Sequence, residues 1–182
     1  MQDTDTRPAD ASSAFADSLP TRPEMLYRQL DDLGIRFTEH HHPPLRTVED
    51  SQALRGSLEG AHIKNLYLRD RKKNNYLVVA EETMPVDLKT LGGGLDGARL
   101  SFGSPERLMQ FLGVRPGAVT PLSLINDTER QVRLIIDAQL LEAVLINVHP
   151  LVNDRTLTLA TADLLRFFQH TGHIYSILQD LS

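Results

Sequence analysis

The 182-residue chain contains no cysteine and no tryptophan, and only 5% of it is aromatic. Without cysteine there can be no disulfide, thiolate nucleophile, zinc finger or cysteine-ligated cluster, so any chemistry rests on other side chains or on the substrate. No run approaches the roughly 18 consecutive apolar residues of a membrane span. The opening Met1-Gln2-Asp3-Thr4-Asp5 is acidic where a targeting peptide would be basic, which predicts a cytoplasmic protein that does not engage a membrane. Positive charge is not in surplus either: 19 Lys and Arg against 24 Asp and Glu leave a net −5, the wrong sign for a bulk nucleic-acid binder. There is no fixed-period repeat and no heptad pattern, which removes solenoids and coiled coils.

What is present is an ordinary globular composition, 41% hydrophobic and 24% charged, at a length that predicts one domain. Residues 1–20 mix Asp, Ser, Thr, Ala and Pro without periodicity and read as a flexible N-terminal tail, with the folded domain spanning 21–182. Thr21-Arg22-Pro23-Glu24 has capping-box spacing and opens a helix over 22–33. Ile35 and Phe37 start a short strand that ends before Pro43-Pro44, and a helix runs from Thr47 to Gly56. Ile63 to Leu68 and Tyr76 to Ala80 flank the polar turn 71–75 as a β-hairpin. A short helix after Asp87, a strand over 98–102 and a helix from Ser104-Pro105 to Gly113 follow. Leu122 to Ile125 and Val132 to Ile136 read as strands; then come helix 138–143, strands 144–148 and 156–160, helix 162–170 capped by Thr161, and strand 173–178. Paired short strands with helices between the pairs predict an α+β (mixed α/β) fold, a mixed β-sheet flanked by helices.

Several constellations invite a chemical reading. Gly92, Gly94 and Gly97 match the letters of a dinucleotide fingerprint, but a helix precedes them and a strand follows, the reverse of what a pyrophosphate site needs; a tight turn is the plainer reading. In His40-His41-His42 successive strand residues point to opposite faces, so no metal site is expected. No G-x-S-x-G elbow supports a serine triad. Lys64 lies in an apolar strand, where it either meets an anion in a wet cleft or guards a sheet edge, and alternation puts it on the face opposite Asn65. His149 ends an apolar run just before Pro150, either lining a pocket or bonded to backbone. Arg69, Arg71, Lys72 and Lys73 with Lys64, against Asp70, give residues 64–73 a local +4, a solvated turn or a phosphate contact.

Taken in order, His42-Pro43-Pro44 with Thr47-Val48-Glu49, Lys64-Asn65-Leu66, Gly97-Ala98-Arg99, the loop Gly117-Ala118-Val119-Thr120-Pro121 running into Asn126-Asp127, Asn147-Val148-His149-Pro150-Leu151, Thr161 to Leu164 and Gly172-His173 resemble the freestanding prolyl-tRNA editing deacylases, relatives of YbaK and of the insertion domain of prolyl-tRNA synthetase. The resemblance spans about residues 22–180, and its C-terminal part looks most like the branch that acts on Ala-tRNA(Pro). It implies hydrolysis, in trans, of the ester on mischarged tRNA(Pro), with the substrate's own 2′-hydroxyl assisting the water and no cofactor or metal. It implies catalytic roles for Lys64, at the terminal nucleotide, and Asn65, at the aminoacyl group. Arg99 would assist binding, His149 would line the amino-acid pocket, and Gly117, Ala118, Val119, Thr120 and Pro121 would frame the ester. The implied partners are the acceptor end of tRNA(Pro), with Arg69, Arg71, Lys72 and Lys73 against its stem, and prolyl-tRNA synthetase. Editing of Cys-tRNA(Pro) and a non-catalytic tRNA-binding module are the rival readings. Leu122 and Ser123 depart from the pattern, which often has an aromatic residue and a glycine there.

Overall fold

The computed structural model describes residues 8–45, 48–55 and 58–181. Thr47 and Gly56, the expected bounds of the second helix, lie outside them. Six α-helices are present among the described residues: α1 Pro23–Asp32, α2 Val48–Arg55, α3 Leu88–Gly94, α4 Pro105–Leu112, α5 Ala138–Glu142 and α6 Thr161–Thr171. The strands are β1 Phe37–His41, β2 Ile63–Arg69, β3 Asn75–Glu81, β4 Ser101–Phe102, β5 Val132–Ile136, β6 Leu145–Val148, β7 Arg155–Ala160 and β8 Tyr175–Ile177.

The strands form two sheets rather than the single one expected. One is antiparallel, in the order β1-β7-β6; the other is mixed, β4-β2-β3-β5-β8, with β3, β5 and β8 parallel and the β2-β3 hairpin antiparallel. The central strand β3 is buried on both faces, which is why its sequence is continuously apolar. Its Leu77 and Val79 enter the main core, shared with Leu26 and Leu30 of α1, Leu112 of α4, Leu157 and Leu159 of β7 and Phe167 of α6. Tyr76, Val78 and Ala80 enter a smaller core under α3 and the C-terminal turn.

Local signals explain most boundaries. Ser104 caps α4 by accepting from Arg107 N–H, Pro105 takes the first helical position, and Gly113 ends the helix in the left-handed conformation. Elsewhere tertiary contacts prevail. Thr21 forms no capping box; its hydroxyl donates to Asn126 Oδ1 at 2.6 Å and Arg22 stands at the cap position. Thr161 likewise lies inside α6 and makes no cap bond. Residues Pro121–Asn126 form a 3₁₀ turn, not a strand, opened by Thr120 and Pro121 and buried through Leu122, Ser123 and Leu124. Gly92 and Gly94 sit at the end of α3, where no side chain fits: a Cβ at Gly92 would lie 2.0 Å from the Ala98 carbonyl oxygen. The expected flexible tail is, over residues 8–20, packed on the body, with a 3₁₀ turn at Ser13–Ser18 and Leu19 in the main core.

Asp127 pins the start of β5 to the loop after α6. Its carboxylate accepts from the backbone N–H groups of Gln131 (2.9 Å) and Val132 (2.8 Å) and pairs with His173 Nε2 at 2.9 Å, all in the interior. Burial alone would raise its pKa, but the bonds from His173, Gln131 and Val132 together outweigh burial and hold the carboxyl below its ordinary value. Asp127→Ala leaves these partners without their acceptor and is expected to lower stability by about 3 kcal/mol, read as a fall in the urea midpoint at pH 7. Because the folded pKa is depressed, this stabilisation is complete above about pH 3.9 and is lost as pH falls through the lower, folded value. Equal midpoints for wild type and variant at pH 7 would contradict this assignment.

Candidate active site

The site begins where the two sheets meet. Ala61 pairs with Ile146 across the gap, its N–H donating to the Leu145 carbonyl at 2.8 Å and its carbonyl accepting from Asn147 N–H at 3.0 Å. Asn147 reinforces the seam: Nδ2 donates to the carbonyls of Glu59 (2.8 Å) and Ala61 (3.2 Å), while Oδ1 accepts from Thr158 Oγ1 at 2.6 Å. Gly60 is required here, because its φ of +94° is left-handed and a Cβ would lie 2.8 Å from the Leu145 carbonyl oxygen. Asn147 is a residue whose role sequence reasoning missed; a polar residue inside the apolar run Leu145–Val148 was the available signal.

Beyond the seam the two strands diverge around a cavity of about 220 Å³, bordered by Lys64, Asn65, Gly117, Val119, Val148 and His149, with Leu45, Leu54 and Thr156. The β2-β3 register runs unbroken from Ile63–Glu81 to Arg69–Asn75, so no bulge brings two consecutive side chains to one face. Asn65 opposes Val79 on the main-core face, and Lys64 opposes Ala80 on the other. Asn65 Oδ1 is buried and has no hydrogen-bond partner among the described residues. An acceptor left in that state costs free energy until a donor reaches it, and the cavity is where a donor would come from.

Across the cavity His149 Nδ1 donates to the Arg155 carbonyl at 2.9 Å. Burial pushes the imidazole below the ordinary histidine value, and His42, with its ring centroid 6.4 Å away, adds to the shift against the Arg155 bond and Asp154. The ring is therefore neutral at pH 7, with Nδ1 protonated and Nε2 carrying the lone pair. The histidine run does not converge: His40 Nε2 meets Thr158 Oγ1 at 3.1 Å, His42 Nε2 meets Thr156 Oγ1 at 2.9 Å, and His41 pairs with Glu39 on the exposed side. Among the described residues no group of three or more His, Asp or Glu side chains could hold a metal ion.

The structure thus brings together Lys64, Asn65, Gly117, Val119 and His149 and separates the other candidates. Ala118, Thr120 and Pro121 are buried in the body, as are Leu122 and Ser123, so none of the last two shapes the cavity. Arg99 does not border the cavity. It lines a second hollow of about 360 Å³ with Arg71, Lys72 and Arg133, opened by the left-handed turn at Gly97. Arg69 instead folds back, its guanidinium 5.4 Å from the Phe111 ring centroid, and Lys73 stays at the exposed tip of the hairpin.

Residues 42–167 match the family of the aminoacyl-tRNA editing domain. The prolyl-tRNA editing protein ProX of Acetoanaerobium sticklandii is 34% identical over 152 residues, covering 83% of this chain and 93% of that protein. Prolyl-tRNA synthetase associated domain-containing protein 1 of Danio rerio is 37% identical over 151 residues, 82% of each. In fold, the chain superposes on a candidate trans-editing enzyme for prolyl tRNA synthetase with a TM-score of 0.64 at 18% identity, covering 86% of this chain and 96% of that one. Among the described residues no helix is long and apolar enough to cross a membrane.

The His149 assignment is directly checkable. Side-chain ¹⁵N shifts at pH 7 are expected to show a protonated Nδ1 and a bare Nε2, with a titration midpoint below about 6.5. A midpoint at or above that value would contradict the half-buried, Arg155-bonded ring.

Proposed function

The chain belongs to the aminoacyl-tRNA editing domain family and is an aminoacyl-tRNA hydrolase, and from that premise we propose that it clears mischarged tRNA(Pro) in trans, with Ala-tRNA(Pro) as its substrate. The observation that carries this reading is the buried Asn65 Oδ1, without a hydrogen-bond partner among the described residues, at the border of a cavity of about 220 Å³. In this reading the cavity takes a small aminoacyl group with its attacking water, and the nucleoside stays outside.

Hydrolysis of an aminoacyl ester needs a placed water and stabilisation of the oxygen that becomes negative. In this reading the α-ammonium or a ribose hydroxyl donates to Asn65 Oδ1. Backbone groups of the Gly117 loop face the ester. Lys64, half-buried at the end of β2, meets the terminal nucleotide as a charge-assisted contact. His149 and Val148 close the end of the pocket against a larger ring. Such a wall is what a second sieve requires, because one or two methylenes give a synthetase only about 1–3 kcal/mol of discrimination. The hollow of Arg71, Lys72, Arg99 and Arg133 would receive backbone phosphates of the acceptor stem. We place this activity in the cytoplasm, in residues 21–182, with prolyl-tRNA synthetase as the source of the substrate.

Single-turnover assays with Ala-, Cys-, Ser- and Pro-charged tRNA(Pro) test the substrate. Alanine is expected to be released and proline spared; equal release of proline would sink the small-pocket reading, and preferential release of cysteine would reassign the substrate. Asn65→Ala and Lys64→Ala are each expected to slow alanine release by about 100-fold with little change in melting temperature. Neutralising Arg71, Lys72 and Arg99 together should flatten the dependence of log K on log salt by about one unit per lost phosphate contact, and an unchanged slope would return them to a solvated surface.

A further inference from the structure

Residues 8–20 lie ahead of the stretch that matches the family, yet they are bonded to the loop that carries the cavity wall. Three consecutive residues make the connection. Asn153 N–H donates to the Ala11 carbonyl at 2.8 Å, and the Asn153 carbonyl accepts from Leu45 N–H, at the cavity border, at 3.2 Å. The Asp154 carboxylate accepts the Ser13 N–H at 3.1 Å from each oxygen and the Ser13 hydroxyl at 2.5 Å, while its carbonyl accepts from His42 N–H at 3.1 Å. The next carbonyl, that of Arg155, is the one that fixes His149. On the opposite wall Arg115 donates to Ser18 Oγ at 2.8 Å, two residues before Gly117. Ala11 stands close enough that its Cβ would touch a side chain at Gly117, at 3.8 Å.

The loop preceding Arg155 contains a residue that its surroundings must constrain. Leu151 adopts a left-handed φ of +71°, which disfavours any residue with a Cβ and persists only where the surroundings impose it. The bonds from Ser13 to an ionised carboxylate belong to the stronger class of hydrogen bonds and supply such a constraint.

We propose that the N-terminal segment is a positioning strap for the amino-acid pocket, with Asp154 the positioning residue through which Ser13 fixes the Arg155 carbonyl and hence the His149 ring. The strap touches no substrate. It sets how far the His149 wall stands from Asn65, and so how large an amino acid is admitted. This rests on the reading of the cavity as the aminoacyl pocket.

The test uses the full chain with Ser13→Ala, Asp154→Ala and, as the conservative variant, Ser13→Thr. In the first two, the ¹⁵N resonances of the two His149 ring nitrogens are expected to move toward each other as the ring loses its fixed tautomer, and preference for Ala- over Pro-tRNA(Pro) should fall by about tenfold. Ser13→Thr should retain both. Unchanged ring shifts and unchanged preference, with only a lower melting temperature, would overturn the proposal and leave the segment a structural brace. Should Asp154→Ala fail to fold, Ser13→Ala decides alone. If the wild type hydrolyses no aminoacyl-tRNA, the substrate reading fails while the ring shifts still decide the strap.

Discussion

The short parallel seam between Ala61 and β6 is the constraint on which the rest depends. It is where the two sheets share backbone hydrogen bonds, and Asn147 doubles it with two further bonds to the same strand-entering segment. A polar side chain at 5% exposure is tolerable because its Nδ2 and Oδ1 are both engaged, and Gly60 is the residue that lets the backbones approach. Four residues beyond Ala61 stands Asn65, and three beyond its partner Ile146 stands His149. The cavity is the gap left as β2 and the end of β6 part company.

That origin accounts for the chemistry available. One wall offers an unpartnered amide oxygen, the other a neutral imidazole locked by a backbone carbonyl, and the Gly117 loop brings main chain to the border. Among the described residues that border the cavity there is no serine or cysteine. A site of this kind orients, excludes and accepts hydrogen bonds, which suits an activated ester whose cleavage needs a held water more than a covalent intermediate. The hollow around Arg99 lies at the other end of the β2-β3 hairpin from Lys64; under the proposed function, binding of a long polyanion and handling of its reactive end would be divided between these two places.

Much of this was legible in the chain. The hairpin followed from two apolar runs around 71–75, α4 from Ser104, Pro105 and Gly113, and β3 from its unbroken apolar character. Lys64 and Asn65 stood out because a cation and an amide interrupt an apolar strand. What sequence could not reveal were the long-range choices. Leu122 to Ile125 is apolar without a period, and a buried 3₁₀ turn and a buried strand look alike in such a run. Thr21 had capping-box spacing but found Asn126, more than a hundred residues away. Residues 8–20 look polar and aperiodic, yet Ala11, Ser13 and Leu19 each have a partner in the body. Arg99 does not share the cavity with Lys64, because β4 pairs with β2 only at Leu68 and Arg69, the end of that strand away from Lys64.

The central claim is that the aminoacyl group enters the cavity between Asn65 and His149. The most direct measurement is the change in the Asn65 side-chain amide and His149 ring resonances on adding a non-hydrolysable 3′-alanylamido-adenosine to the full chain. Saturable shifts at both residues, lost in Asn65→Ala, are the predicted result. Saturable shifts confined to the Arg99 and Arg133 hollow, with Asn65 and His149 unmoved, would contradict the account.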